Sequence, residues 1–125
     1  MKQLLVLSLI LFSLQLFAQN ENGELSLKQY YLVVLTKGAN RSQDSLTAQA
    51  IQEAHLRNIN RLFKEGKIDI AGPFADDTDW RGVFIFNVET KEEVEKLLQT
   101  DEAISSGRLN YIIHPWYAQK GSILR

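Results

Sequence analysis

Two segments of this chain are apolar at consecutive positions, where a strand with one wet face would alternate. In Tyr30 to Thr36, Tyr31, Val33 and Leu35 point one way along an extended backbone and Tyr30, Leu32 and Val34 the other. Gly82 to Val88 repeats the pattern, with Phe84 and Phe86 opposing Val83 and Ile85. A sheet built on these two strands is apolar on both faces. The rest of the chain supplies two amphipathic helical segments, enough to cover one face only. The other face needs a different cover, and a second copy of the same sheet is the simplest one. A homodimer packed sheet to sheet is the expectation; the alternative is a modestly apolar face left wet.

The remaining elements are set by periodicity and stop signals. Lys37-Gly38-Ala39-Asn40 ends the first strand, and Ser45 or Thr47 is placed to cap a helix. From Leu46, the residues Ile51, His55, Ile59, Leu62 and Phe63 fall on one helical face until Gly66. Ile68 to Phe74 reads as a second strand, with Gly72-Pro73 near its end because Pro73 has no N–H for a ladder. The turn Asp76-Asp77-Thr78-Asp79 leads into the third strand. Thr90 with Glu93 forms a capping box, Val94, Leu97 and Leu98 make the second helix amphipathic, and Leu109 to His114 is the last strand. The order β-α-β-β-α-β predicts an α+β fold of ferredoxin-like topology.

At 125 residues the chain holds one domain. Its formal net charge of -1, without a run of Lys or Arg, lacks the footprint that phosphate backbones demand, so no nucleic-acid partner is expected. With no Cys, disulfides, thiolate nucleophiles and Cys-ligated metals are excluded. At the N-terminus, Lys2 precedes an apolar run from Leu4 to Phe17 broken only by Ser8, Ser13 and Gln15, a secretory signal pattern shorter than the roughly 20 residues of a spanning helix. The expected layout is a signal peptide over 1–18, a flexible leader over 19–28, the domain over 29–120 and a tail over 121–125. The mature protein is expected to be periplasmic or secreted, without a membrane anchor, since no lipoprotein Cys comes after the apolar run.

Four blocks of the second half, Gly66-Lys67-Ile68-Asp69-Ile70-Ala71-Gly72-Pro73-Phe74, Asp79-Trp80-Arg81-Gly82, Thr100-Asp101-Glu102-Ala103-Ile104 and Ile113-His114-Pro115-Trp116-Tyr117, together resemble the YCII-related family, in a subgroup ending His-Pro-Trp-Tyr. The resemblance spans roughly Tyr30 to Lys120 and implies a dimeric α/β-barrel of ferredoxin-like subunits with a His and an Asp in a pocket. The helical His of the family's His-Leu pattern falls on His55-Leu56. The Asp of its Asp-Pro pattern falls on Asp101, where Glu102 replaces the proline, a departure that loosens the turn.

His55 stands out from the residues alone, because it lies four positions from both Ile51 and Ile59 on the face that meets the sheet. One reading is a core histidine satisfied by a hydrogen bond; the other is a pocket group. Asp101 is a turn residue bonding nearby backbone or the partner of His55. If the two meet, the carboxylate fixes the imidazole tautomer and raises its basicity, as a general base requires. Gly72, Pro73 and Phe74 are expected to shape a pocket wall, Arg81 to meet an anionic ligand at its mouth, and His114 and Trp116 to border it or pack over the sheet edge. The acidic turn lacks a calcium-loop register, and no zinc spacing, phosphate loop, nucleophile elbow or dinucleotide fingerprint occurs, so no metal or cofactor is expected.

Two functions from different classes are compatible with these residues. One is a cofactor-free enzyme, of isomerase or lyase type by analogy with related dimeric α/β barrels such as muconolactone isomerases, using His55 and Asp101 on a small molecule. The other is a non-catalytic dimer that binds a small ligand or a protein partner. The first requires the two side chains in contact beside a cavity; the second is satisfied by His55 buried against backbone.

Overall fold

The computed structural model describes residues 25–125. The expected signal peptide over 1–18 and most of the expected leader over 19–28 lie outside the described residues. Four strands and three helices succeed one another in the order β1 (Leu27–Lys37), α1 (Ser45–Lys64), β2 (Ile68–Pro73), β3 (Trp80–Phe86), α2 (Lys91–Gln99), α3 (Glu102–Ser105) and β4 (Leu109–Gln119). The sheet is antiparallel throughout with strand order β2-β3-β1-β4, the ferredoxin-like α+β arrangement with one extra helical turn. Among the described residues no helix is long and apolar enough to cross a membrane.

Register separates the two faces. Val33 stands between Phe84 and Ile113, and Leu35 between Gly82 and Tyr111. These residues face the helices, and the core gathers Tyr31, Val33, Leu35, Ile68, Phe84 and Phe86 of the sheet with Leu62 of α1, Val94 and Leu98 of α2 and Ile104 of α3. Phe84 and Phe86 meet edge to face, 5.9 Å between centroids. The opposite face carries the rows Ile85–Leu32–His114 and Val83–Val34–Ile112, with Trp116 beside Tyr30.

Local chemistry sets the boundaries, and several differ from expectation. Asp44, not Ser45 or Thr47, caps α1: its carboxylate accepts from the Thr47 N–H at 2.8 Å. Ile51, His55 and Leu62 are buried along α1, whereas Leu46 and Phe63 are exposed, Phe63 because it is turned about 100° from Leu62 around the helix axis. The capping box of α2 is half made. Thr90 accepts from the Glu93 N–H, but the Glu93 carboxylate takes Lys67 Nζ at 2.8 Å instead of reaching back. β1 begins at Leu27, inside the expected leader, and β4 continues through Pro115 to Gln119 rather than ending at His114. Among the described residues β4 is an edge strand with β1 as its one neighbour, so a residue without an N–H is tolerated there.

Candidate active site

The site begins with the single turn of α3. Asp101 comes after α2, donates its N–H to the Leu98 carbonyl at 3.0 Å and caps α3, its Oδ1 accepting from the Ala103 N–H at 2.9 Å. Glu102 occupies the first helical position, where proline is favoured for its fixed φ and where a carboxylate is favoured by the peptide dipoles. With Glu102 in that position the turn is closed by the Ile104 and Ser105 N–H groups, which donate to the Asp101 carbonyl at 3.0 and 2.8 Å. Its geometry leaves the second oxygen, Oδ2, pointing at α1, where it lies 2.6 Å from Nδ1 of His55.

Both partners are buried, His55 to 8 % and Asp101 to 1 % exposure. A carboxylate removed from water needs compensation for each lone pair it loses, and Asp101 receives it from one backbone N–H and one imidazole N–H. A deprotonated carboxylate has no hydrogen to give, so the bond places the imidazole proton on Nδ1. Nε2 is left as the acceptor, and among the described residues it has no hydrogen-bond partner. The Phe84 ring, 6.1 Å away between centroids, backs the imidazole on the sheet side. The two roles considered for Asp101, backbone cap and partner of His55, are both filled, by different oxygens.

His55 lines a cavity of about 400 Å³ between α1 and the end of the sheet. Its apolar wall is Leu35, Ile51, Ile59, Phe84 and Leu109. Gly82 stands in the row between Leu35 and Pro73 without a side chain, so the sheet floor is low where the cavity lies. Gly72, Pro73 and Arg81 also line it, while Phe74 does not: its ring packs on Trp80, 5.9 Å between centroids. His114 and Trp116 stand on the other face of the sheet, in the rows of Leu32 and Tyr30, and are not part of this cavity. The strand runs past Pro115, so period-two alternation carries both side chains away from the helices.

Three polar lining residues were not anticipated: Arg41 from the β1–α1 loop, Gln52 from α1 and Arg108 at the entry to β4. Arg41 Nη1 donates to the Arg108 carbonyl at 2.8 Å, and Arg108 Nη1 donates to Gln43 Oε1 at 3.0 Å. Arg81 is engaged by Asp77 at 3.1 Å. Asp77 also takes Lys37 at 3.5 Å, and these two cations, Lys37 foremost, hold its carboxyl below the usual value of 3.8.

The YCII-related domain model matches residues 31–117, from within β1 to within β4. The chain belongs to the YCII-related domain family. His55, Asp101 and every cavity-lining residue named above fall inside the matched span. No curated protein matches this YCII-related chain. Among solved structures, 5-chloro-2-hydroxyhydroquinone dehydrochlorinase (TftG) from Burkholderia phenoliruptrix AC1100, in complex with 2,5-dihydroxybenzoquinone, is similar to it with a TM-score of 0.49 and 23% sequence identity, over 69% of this chain and 92% of that chain.

Proposed function

We propose that this YCII-related protein is a cofactor-free acid–base enzyme of isomerase or lyase type, acting on a small molecule seated beside His55. The observation that supports it is the 2.6 Å bond from His55 Nδ1 to Asp101 Oδ2 at the wall of a cavity large enough for a small metabolite. Nε2 removes a proton from a carbon next to a carbonyl, and the C–H electron pair moves onto the carbonyl oxygen as an enolate. The imidazolium that forms is held by the Asp101 carboxylate. Return of the proton to a different atom completes an isomerisation; expulsion of a leaving group by the enolate pair, with the proton passed on from His55, completes an elimination. In this reading the protein works outside the inner membrane, after removal of its leader, as a homodimer.

Proton abstraction is detectable without knowing the natural substrate. A panel of small ketones and lactones is incubated with the protein in D₂O, and loss of the C–H signal is monitored by NMR. Exchange accelerated about 10²-fold or more by the wild type and abolished in His55→Gln is the expected result. If no member exchanges, or His55→Gln exchanges as fast as wild type, the enzyme reading gives way to a non-catalytic binding module.

A further inference from the structure

We propose that the His55 cavity takes a small organic anion, a carboxylate on an apolar body, and that Arg41 and Arg108 hold the carboxylate. This names the substrate class of the site proposed above and rests on that reading for its location. Among the described residues three arginines line the cavity and no Asp or Glu does, in a chain whose acidic residues outnumber its basic ones, 15 to 14. The positive potential is therefore local, set by placement and not by composition.

The three are not equivalent. Arg81 is matched by Asp77. Arg41 and Arg108 meet only neutral acceptors among the described residues, a backbone carbonyl and a side-chain amide. Each uses one guanidinium nitrogen in those bonds, and a guanidinium carries five N–H donors in a planar fork that matches a carboxylate edge. The bond from the Arg41 guanidinium to the Arg108 backbone carbonyl ties together two residues 67 apart in the chain, both of which line the cavity. Both residues line the same cavity with N–H donors not used in those bonds, and a ligand carboxylate accepts from such donors. Leu35, Ile51, Ile59, Phe84 and Leu109 provide apolar wall for the rest of the ligand, beside the free nitrogen of His55.

The test uses benzoate, with benzamide as its neutral counterpart and inorganic phosphate as an anion without an apolar body. Each is titrated into ¹⁵N-labelled protein, with the His55 ring nitrogens and backbone amides as readout. Benzoate is expected to saturate and benzamide to bind about tenfold more weakly or worse, with phosphate weaker than benzoate. Arg41→Gln and Arg108→Gln are each expected to weaken benzoate about tenfold, Arg41→Lys to restore part of the loss, and Arg57→Gln, an exposed arginine outside the lining, to change nothing. Equal binding of benzoate and benzamide, absence of saturable benzoate binding, or indifference to both glutamine variants overturns the proposal. Phosphate binding as tightly as benzoate overturns the organic part of it. A His55 that keeps its Nδ1 proton while benzoate fails sinks this inference alone; a His55 without that tautomer sinks the acid–base reading beneath it.

Discussion

A methyl group on Gly38 would run into the carbonyl oxygen of Gly107. The two glycines lie where the loop after β1 crosses the turn before β4, and the crossing is tied by Gly38 N–H to the Arg108 carbonyl at 2.9 Å and Asn40 N–H to the Gly107 carbonyl at 3.0 Å. The obstacle is backbone, which yields less readily than a flexible side chain. Gly38→Ala is therefore expected to destabilise the fold by about 1–3 kcal/mol, the usual range for overpacking. Because the same crossing carries Arg41 and Arg108 to the cavity, benzoate binding is expected to weaken in the same variant. A denaturation midpoint equal to that of wild type would show that the two segments separate freely.

The proton on His55 Nδ1 is a consequence of Asp101. In the wild type, ¹⁵N shifts of the imidazole in its neutral state are expected to show Nδ1 protonated and Nε2 bare. Asp101→Asn keeps the shape but presents either a carbonyl or an NH₂ to Nδ1, and the second of these forces the proton onto Nε2. A shift of the tautomer balance toward Nε2–H is expected, with loss of exchange activity by about 10²–10⁴-fold, the upper figure being that known for the equivalent change in the serine-protease triad. A tautomer balance that ignores the substitution would detach Asp101 from any role in chemistry and leave it as the cap of α3.

Asp44 ties stability to pH at the start of the long helix. The hydrogen bond from the Thr47 N–H holds its carboxyl below the ordinary 3.8, so between the folded and ordinary values the unfolded chain binds the proton more readily. The cap's contribution is complete at pH above that ordinary value and fades as pH falls through the lower, folded one. Asp44→Ala is expected to lower the melting temperature at neutral pH, with the gap to wild type closing in acid. A gap that stays constant down to the most acid pH at which the protein folds would mean that the carboxylate charge does no capping.

Much of this architecture is written in short-range patterns. The double-sided apolar runs of β1 and β3 and the 3.6-residue stripe of α1 give the element order, since burial on a sheet or under a helix imposes those periods directly. Asp101 was legible only through family resemblance. Its bond to His55 joins segments 46 residues apart, and nothing in local spacing encodes that. Arg41 and Arg108 left no signal at all, each being a lone cation in a polar stretch until the Gly38–Gly107 crossing brings them together. The persistence of β4 past Pro115 was missed because the meaning of a proline depends on whether its strand has a neighbour on both sides. The cap by Asp44 was missed because Asp, Ser and Thr stand close together there and all cap well.

The outward face of the sheet makes the last prediction. In the register Ile85–Leu32–His114 and Val83–Val34–Ile112, six side chains form two rows across three strands; Val34 and Ile85 in the middle are 7% exposed, whereas Ile112 and Trp116 on the edge strand are 45% and 41% exposed. Apolar patches of this kind on single chains mark association surfaces. A face-to-face pairing related by a twofold axis sets each patch against its own copy and needs no second, different surface. Sedimentation of the protein is expected to give twice the chain mass. Ile112→Glu places a charge at the end of a row and is expected to yield monomers that retain the secondary structure seen by circular dichroism, because the side chain points away from the core. His114 lies beside Leu32 in the same patch, so its NMR environment is expected to change on dissociation while His55, on the other side of the sheet, keeps its bond to Asp101. A wild type that sediments as a monomer at all concentrations tested would mean that this face stands open to water.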